Sequence, residues 1–169
     1  MKPLNGIKVI DLTHMLAGPY AGMVIADLGA EVVKIEPLVT GEMTRGLLKT
    51  DPNYSYKEFG AYFLTLNRNK KSVSLDLKSE MGLEIFYELV KSADVVLNNF
   101  SAGVVKKLKI DFETLNNINP KIITCSITGF GETGPHSSRP AYDQIVQAYS
   151  GGMSTVSYTH LTLPTNGLG

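Results

Sequence analysis

Three short segments of the chain combine residue types that bind anionic, nucleotide-like ligands. Residues 129–134 spell GFGETG, residues 67–71 (NRNKK) hold three cations, and residues 98–100 place two amides before an aromatic ring. Glycine lets a backbone approach a ligand closely, Lys and Arg pair with phosphate, and an aromatic ring can stack on a purine. The chemistry that these segments indicate is the binding of a phosphate-bearing ligand.

Each of these segments also has an ordinary structural interpretation. Dinucleotide binding by residues 129–134 would need a helix that opens at the glycines, whereas Pro135 and Pro140 delay the next helix to about Tyr142. A glycine-rich turn is therefore the favoured interpretation. A run of charges is usually a solvated surface, and Phe100 is also compatible with the hydrophobic core.

A fourth candidate is the turn at residues 11–20 (DLTHMLAGPY), which follows the first predicted strand. Open α/β sheets bind ligands at the carboxyl ends of their strands, and Glu36 follows Gly18 at a spacing similar to that of a nucleotide fold. With only Gly18 and Gly22 present, the phosphate fingerprint is incomplete. His14 has both a structural and a functional interpretation, and no Ser-His-Asp set can be assembled from spacing.

Alternating strand and helix patterns predict the frame that positions these segments. Five Val- and Ile-rich runs are typical of buried parallel strands: residues 7–12, 30–36, 72–77, 94–98 and 121–128. Helices are predicted at residues 19–28, after the N-cap Ser79, and at 101–108, 111–118 and 142–150. This order predicts an α/β fold with a parallel sheet, whereas residues 38–70 lack any sustained period. Cys125, in the last strand, is expected to be a buried, inert thiol.

The composition excludes several classes of protein. The chain has 169 residues, 43% of them hydrophobic, and its 16 basic residues balance 16 acidic ones, which argues against a general nucleic-acid binder. A single cysteine offers neither a disulfide framework nor a zinc-ligand set. No apolar run reaches the roughly 18 residues of a membrane span, and polar residues interrupt the N-terminus where a signal peptide would be apolar. We therefore expect a cytoplasmic protein that does not enter a membrane.

Residues 3–155 resemble one family throughout. The phrases that carry the resemblance are PLNGIKVIDLTHMLAGPYAGMVIADLGAEVVKIEP, GEMTRG, LNRNKKSVSLDLKSEMG, ADVVLNNFSAGVVKKL, INPKIITCSITGFGETGP and RPAYDQIVQAYSGGMS. In this order and spacing they are similar to the class III CoA-transferases (CaiB/BaiF type). That family includes formyl-CoA transferase, carnitine CoA-transferase and α-methylacyl-CoA racemase.

The resemblance implies a Rossmann-like parallel sheet with flanking helices, which forms part of the family's large domain. It also implies an enzyme that transfers CoA between organic acids. In the family an aspartate carboxylate attacks the acyl-CoA thioester, and an aspartyl thioester then passes CoA to the acceptor carboxylate. The implied partners are an acyl-CoA and a carboxylic acid, with coenzyme A as a substrate and with no metal or permanently bound cofactor. Full-length members form interlocked homodimers.

The resemblance further implies a set of CoA-binding residues. They are Leu16, Ala17, Leu75, Lys78, Asn99, Phe100 and Lys107. Lys107 stands where formyl-CoA transferase carries a phosphate-binding arginine, so it keeps the charge without the bidentate fork. Pro37 departs from the pattern, since some relatives have a cation there.

The family's nucleophilic aspartate is not assigned to any residue of this chain. In relatives it follows a GGM-like segment by a few dozen residues, whereas here no charged residue follows residues 151–153. Residues 156–169 (VSYTHLTLPTNGLG) resemble the translation of a sequencing-library transposase adapter, so we expect them to be a non-native tail. Residues 1–155 are then the N-terminal part of the CoA-binding large domain, and we expect this fragment to be inactive alone.

Two alternatives to a transferase stay open at this point. A racemase of the same family would carry a histidine base where this chain has Tyr142, and a tyrosine phenol, which usually ionises near pH 10, is a poor base near neutral pH. Asp143 begins a predicted helix, where a carboxylate is favoured on dipole grounds alone, so no catalytic role is assigned to it. The second alternative is a non-catalytic module that binds CoA.

Overall fold

The computed structural model describes residues 2–155, which contain seven strands, seven helices and one 3₁₀ turn. The strands are β1 (Lys8–Asp11), β2 (Glu31–Glu36), β3 (Ser55–Tyr56), β4 (Phe59–Gly60), β5 (Lys70–Ser74), β6 (Val95–Asn98) and β7 (Ile123–Ser126). The helices are α1 (Ala17–Asp27), α2 (Ala61–Leu66), α3 (Glu80–Lys91), α4 (Val104–Lys107), α5 (Phe112–Ile118), α6 (Asp143–Tyr149) and α7 (Gly152–Thr155). Two compact units divide between Ile127 and Thr128.

A five-stranded parallel sheet, in the order β5-β2-β1-β6-β7, organises the first unit. Strand β1 lies at its centre, paired with β2 on one side and with β6 on the other. The strand order therefore reverses between β1 and β6, and the loops that diverge at such a switch point leave a crevice at the carboxyl ends of the strands. The predicted α/β fold, a Rossmann-like parallel sheet with flanking helices, is confirmed.

Helices cover both faces of this sheet, as the side chains of β1 illustrate. Val9 packs in one cluster with Ala26 of α1, whereas Ile10 packs in another with Phe86 of α3. Successive residues of a strand point to opposite faces, so a strand with apolar residues at consecutive positions is buried on both. This double burial explains why the inner strands carry apolar residues at consecutive positions, such as Val9 and Ile10 of β1.

The predicted starts of two helices are confirmed by their caps. Ser79 Oγ accepts a hydrogen bond from the Gly82 amide at 3.1 Å, and Asp111 Oδ1 accepts one from the Thr114 amide at 3.3 Å. Each bond satisfies an amide that the helix start would otherwise leave unpaired. The helix predicted over residues 101–108 is shorter, because Gly103 has a φ of 83° that does not continue into a helix.

The segment between β2 and β5 contains regular structure that its sequence pattern did not indicate. It holds a 3₁₀ turn at Met43–Arg45, the β3-β4 hairpin and α2. These elements are two to six residues long, too short to give a hydrophobic period. The Arg45 guanidinium lies over the Phe63 ring, 4.0 Å from its centroid, and joins the 3₁₀ turn to α2.

Two further expectations differ from the structure. Strand β5 begins at Lys70 and ends at Ser74, not at residues 72 and 77, and the turn at Leu77 and Lys78 then leads into α3. Cys125 is exposed and not buried, because β7 is the edge strand of the sheet. The expectation of a non-native tail concerns residues 156–169, which lie outside the described part.

The glycine-rich segment lies in the second unit and does not open a helix. Residues 129–142 form turns and bends, and the next helix, α6, begins only at Asp143. Gly131 and Gly134 have φ values of 81° and 95°, which suit glycine and few other residues. The segment is therefore a glycine turn, and it lacks the helix that dinucleotide binding requires.

Candidate functional site

A cleft of about 370 Å³ opens at the carboxyl ends of the sheet strands. Its walls come from the segments that follow β1, β2, β5 and β6, which meet at the switch point. The lining residues are Leu12, His14, Ile35, Glu36, Pro37, Leu38, Leu75, Asp76, Leu77, Lys78, Phe100 and Leu108. A cleft of this volume, with apolar walls and a few charged groups, is typical of a small-molecule site.

His14 and Phe100 form an aromatic wall of this cleft, on opposite sides of the switch point. Their ring centroids are 5.6 Å apart. Burial lowers the pKa of His14, the charge of Lys34 adds to the effect, and nearby carboxylates only partly oppose it. The imidazole is therefore neutral at physiological pH, so it offers a flat, weakly polar surface and not a cation.

The backbone of the turn between β1 and α1 is held from outside by side chains. Asn99 binds the His14 peptide groups on both sides, because its Oδ1 accepts from the His14 amide at 2.8 Å and its Nδ2 donates to the His14 carbonyl at 2.7 Å. The next amide, that of Met15, donates to Glu42 Oε1 at 2.9 Å. Side chains from two distant segments therefore fix this turn.

The same kind of support continues one residue earlier, at Thr13. Its amide donates to Asp11 Oδ1 at 2.9 Å, and its carbonyl accepts from Lys34 Nζ at 2.7 Å. All three side chains are almost completely buried. Five consecutive backbone polar groups, from the Thr13 amide to the Met15 amide, are thus bonded to side chains.

Glu36 faces inward at this edge, and its carboxylate is fully used. Arg45 donates to both of its oxygens at 2.6 and 2.7 Å, Ser72 Oγ donates at 2.6 Å, and the Glu42 amide donates at 2.9 Å. A carboxylate has about four acceptor sites, so none remains for a ribose hydroxyl. The spacing from Gly18 to Glu36 that is similar to a nucleotide fold therefore does not mark a ribose-binding acid.

This bonding makes Glu36 a source of acid sensitivity. Burial acts to raise its pKa, but the hydrogen bonds from Arg45, Ser72 and the Glu42 amide outweigh burial and hold the pKa at about 2. The folded pKa lies below the ordinary value of 4.5. The contribution of Glu36 to stability is therefore present above about pH 4.5 and is lost as the pH falls towards 2.

We expect the free energy of unfolding to fall on the order of 3 kcal/mol through this window because of Glu36 alone. The measurement is the urea midpoint between pH 6 and pH 3, for the wild type and for Glu36→Gln. The variant should be less stable at pH 6, and the difference between the two proteins should shrink as the pH falls. A difference that stays constant with pH would contradict the assignment.

The three cations of residues 67–71 all pair with carboxylates of the first unit. Arg68 binds Asp27, and Lys71 binds Glu31, both near the surface. Lys70 is buried, and its Nζ donates to Asp11 Oδ2 at 2.9 Å. The segment is therefore neither a phosphate clamp nor a simple solvated surface, because its charges join α1 and the strands.

The residues implied by the resemblance are only partly brought together. Leu75, Lys78 and Phe100 line the cleft, whereas Asn99 supports the turn behind it. Leu16 and Ala17 are exposed at the start of α1, directly after that turn. Lys107 is exposed at the end of α4, beside the lining residue Leu108.

Sequence reasoning considered Glu36 only for its spacing from Gly18, and it did not identify Lys34 or Glu42 as buried polar groups that support the site. Lys34 and Glu36 lie in the central strand β2, and both are 1% exposed, while Glu42 is fully buried in the segment after it. The available signal was that β2 (EVVKIE) carries the charges of Lys34 and Glu36 among its apolar residues, since buried charges need partners. Glu42 gave no signal, because it lies in a segment without periodicity.

No group of His, Cys, Asp or Glu residues within positions 2–155 is arranged to hold a metal ion. In the same range, no helix combines the length and apolar character needed to cross a membrane.

The strand order and the cleft at the switch point define a doubly wound α/β protein with a ligand site at the carboxyl edge of its sheet. Comparison with known families is more specific. A family model described as CoA-transferase family III matches residues 4–164. The chain therefore belongs to CoA-transferase family III, as the resemblance predicted.

Individual relatives agree with this membership. The chain is 43% identical over 167 residues to the succinyl-CoA:glutarate CoA-transferase of Mus musculus. The aligned residues cover 99% of the chain and 36% of that enzyme. It is 42% identical over 157 residues to the formyl-CoA:oxalate CoA-transferase of Streptomyces avermitilis, over 93% of the chain and 37% of that enzyme. The chain thus spans little more than a third of these relatives.

A solved structure supports the fold at similar coverage. The crystal structure of a CaiB/BaiF family protein from Brucella suis matches with a TM-score of 0.81 and 42% identity. The match covers 89% of this chain and 39% of that one. The fold described above is therefore shared with a member of the same family.

Proposed function

We propose that this chain supplies the CoA-binding part of an acyl-CoA:carboxylate CoA-transferase. The observation that carries the proposal is the cleft at the switch point, which is lined by Leu75, Lys78 and Phe100, three of the residues that the resemblance implies. The names of the similar enzymes pair an acyl-CoA with a dicarboxylic acid, glutarate or oxalate. We extend the substrate class, an acyl-CoA and a carboxylic acid, to the protein of which this chain is part or whole.

Each residue of the set has a role that follows from its position. Phe100 and the neutral His14 offer aromatic faces for the adenine ring, which is a common use of such side chains. Lys78 and Lys107 are exposed cations near the cleft, available to the phosphates of CoA. Leu75 supplies an apolar wall, Leu16 and Ala17 present the start of α1, and Asn99 holds the turn that leads to it.

The buried carboxylates of the first unit are not candidates for the nucleophile. Asp11 binds Lys70 and Thr13, Glu36 binds Arg45 and Ser72, and Glu42 binds Met15 and Thr44. In the second unit, the Asp143 carboxylate accepts from Gln147 Nε2 within its own helix. We therefore assign nucleophilic attack to none of these four carboxylates.

The wider properties of the protein follow from the same membership. We propose that residues 1–155 belong to the CoA-binding large domain and that residues 156–169 are the non-native tail. We also propose that the protein works in the cytoplasm, uses no permanently bound cofactor and assembles as a homodimer. The proposal on the tail rests on the resemblance of residues 156–169 to a transposase adapter, and the others rest on the family resemblance.

The test is calorimetric titration of the purified chain with coenzyme A. We expect binding, and we expect Phe100→Leu to weaken it about tenfold, because leucine keeps the apolar bulk but loses the face on which a base stacks. Phe112→Leu is the matched control, since Phe112 is an exposed residue of α5 away from the cleft. Absence of CoA binding by the wild type, or equal weakening by both variants, would contradict the proposal.

A further inference from the structure

Met15 has a backbone conformation that its residue type does not favour. Its φ is 66°, in the left-handed region, which is sterically unfavourable for a residue with a Cβ. Such a conformation persists only when the surroundings hold it. Here Asn99 bonds the amide and the carbonyl of His14, and Glu42 accepts from the Met15 amide.

Glu42 is an unusual residue to find in this position. It is completely buried, although it belongs to the long segment between β2 and β5. Its Oε1 accepts from the Met15 amide, its Oε2 accepts from the Thr44 hydroxyl, and its own amide donates to Glu36. A buried carboxylate is costly unless its partners satisfy it, so its retention here is explained by what it holds.

We propose that Glu42 is a positioning residue for the CoA site. It fixes the Met15 peptide in the left-handed conformation from which Leu16 and Ala17 begin α1. The segment between β2 and β5 is then a working part of the site, although among its residues only Pro37 and Leu38 line the cleft. This inference rests on the proposed function, because it takes CoA as the ligand of the cleft.

The hydrogen bond, and not the charge, is what positions the turn. Glutamine at position 42 keeps the side-chain length and an oxygen for the Met15 amide, and the Thr44 hydroxyl can accept from its NH₂ group. Aspartate keeps the charge, but it is one methylene shorter and withdraws the oxygen from the Met15 amide. A role in charge balance alone predicts the opposite order of effects.

The experiment compares Glu42→Gln with Glu42→Asp, by CoA titration and by amide hydrogen exchange of Met15. We expect Glu42→Gln to stay within about threefold of the wild type. We expect Glu42→Asp to bind CoA about tenfold more weakly and to exchange the Met15 amide about tenfold faster, because that amide loses its acceptor. Glu58→Gln and Glu58→Asp, at an exposed glutamate of the same segment, are the matched controls.

The outcomes separate this inference from the proposed function. If the wild type binds CoA and Glu42→Asp binds it with equal affinity, the inference is overturned, whereas the proposed function is not. A greater loss in Glu42→Gln than in Glu42→Asp would also overturn it. If the wild type binds no CoA, the proposed function fails, and Met15 exchange still decides whether Glu42 holds the turn, since unchanged exchange in Glu42→Asp overturns that role.

Discussion

Replacing Lys70 with methionine is expected to lower the free energy of unfolding by about 3–5 kcal/mol, because it removes the cation that pairs with the buried Asp11 carboxylate. The side chains of Lys70 and Asp11 are 2% and 0% exposed, and their ion pair spans 2.9 Å. Burial lowers the pKa of Lys70 even though Asp11 opposes the shift, so the pair itself adds little net stability. The cost arises because the Asp11 carboxylate remains in the core without a cation.

The neighbouring residue provides the matched control for this prediction. Lys71 also pairs with a carboxylate, Glu31, but both side chains are largely exposed. Exposed pairs contribute about 0–1 kcal/mol, so Lys71→Met should change stability little. Urea denaturation at pH 7 measures both variants. In the Lys70→Met background, Asp11→Asn should recover part of the loss, and comparable losses in Lys70→Met and Lys71→Met would contradict the account.

Replacing Phe86 with alanine is expected to cost about 3–5 kcal/mol, through lost apolar burial and a cavity between α3 and the sheet. Phe86 is 0% exposed and packs in the cluster that contains Ile10 and Val96. Loss of the ring leaves a space that rigid strands on one side and a helix on the other cannot fill. The measurement is the shift in the urea midpoint at an unchanged slope.

Ile85 is the control, because it precedes Phe86 in the same helix and is 44% exposed. Ile85→Ala should cost less than about 1 kcal/mol, since part of its surface stays in water in both states. A loss in Ile85→Ala that equals the loss in Phe86→Ala would mean that α3 presents a different face to the sheet.

The frame of the fold could be predicted because its signals are local. The strands β1, β2 and β6 are short apolar runs, and Ser79 and Asp111 cap α3 and α5 as their residue types indicate. The limits of α4 and β5 were less well predicted. In both cases the start follows a residue with a left-handed backbone, Gly103 before α4 and Asn69 before β5, and not a hydrophobic pattern.

The residues that the resemblance implied include three that line the cleft and Asn99, which supports the turn behind it. Phe100 and Lys78 were identified by the family resemblance, and both line the cleft. Glu42 acts through the backbone of Met15, 27 positions away, and this kind of contact leaves no local pattern. Among the cations of residues 67–71, Arg68 and Lys71 are exposed, as the solvated-surface interpretation predicts, whereas Lys70 is buried. Their pairing was not predicted, since the partners Asp11, Asp27 and Glu31 are 40 or more positions away.

The support of the β1–α1 turn has a consequence for the order of folding. Asn99 lies 85 positions from His14, and Glu42 lies 27 positions from Met15, so the turn cannot take its native shape from its own neighbours. Contacts between residues so far apart form only after the entropic cost of closing the intervening loop has been overcome. In a parallel sheet this happens late in folding. During synthesis, the turn emerges from the ribosome well before Asn99 does. Strands β1 and β2 can therefore pair while the nascent chain still lacks Asn99, and the turn takes its native shape only once β6 has joined β1.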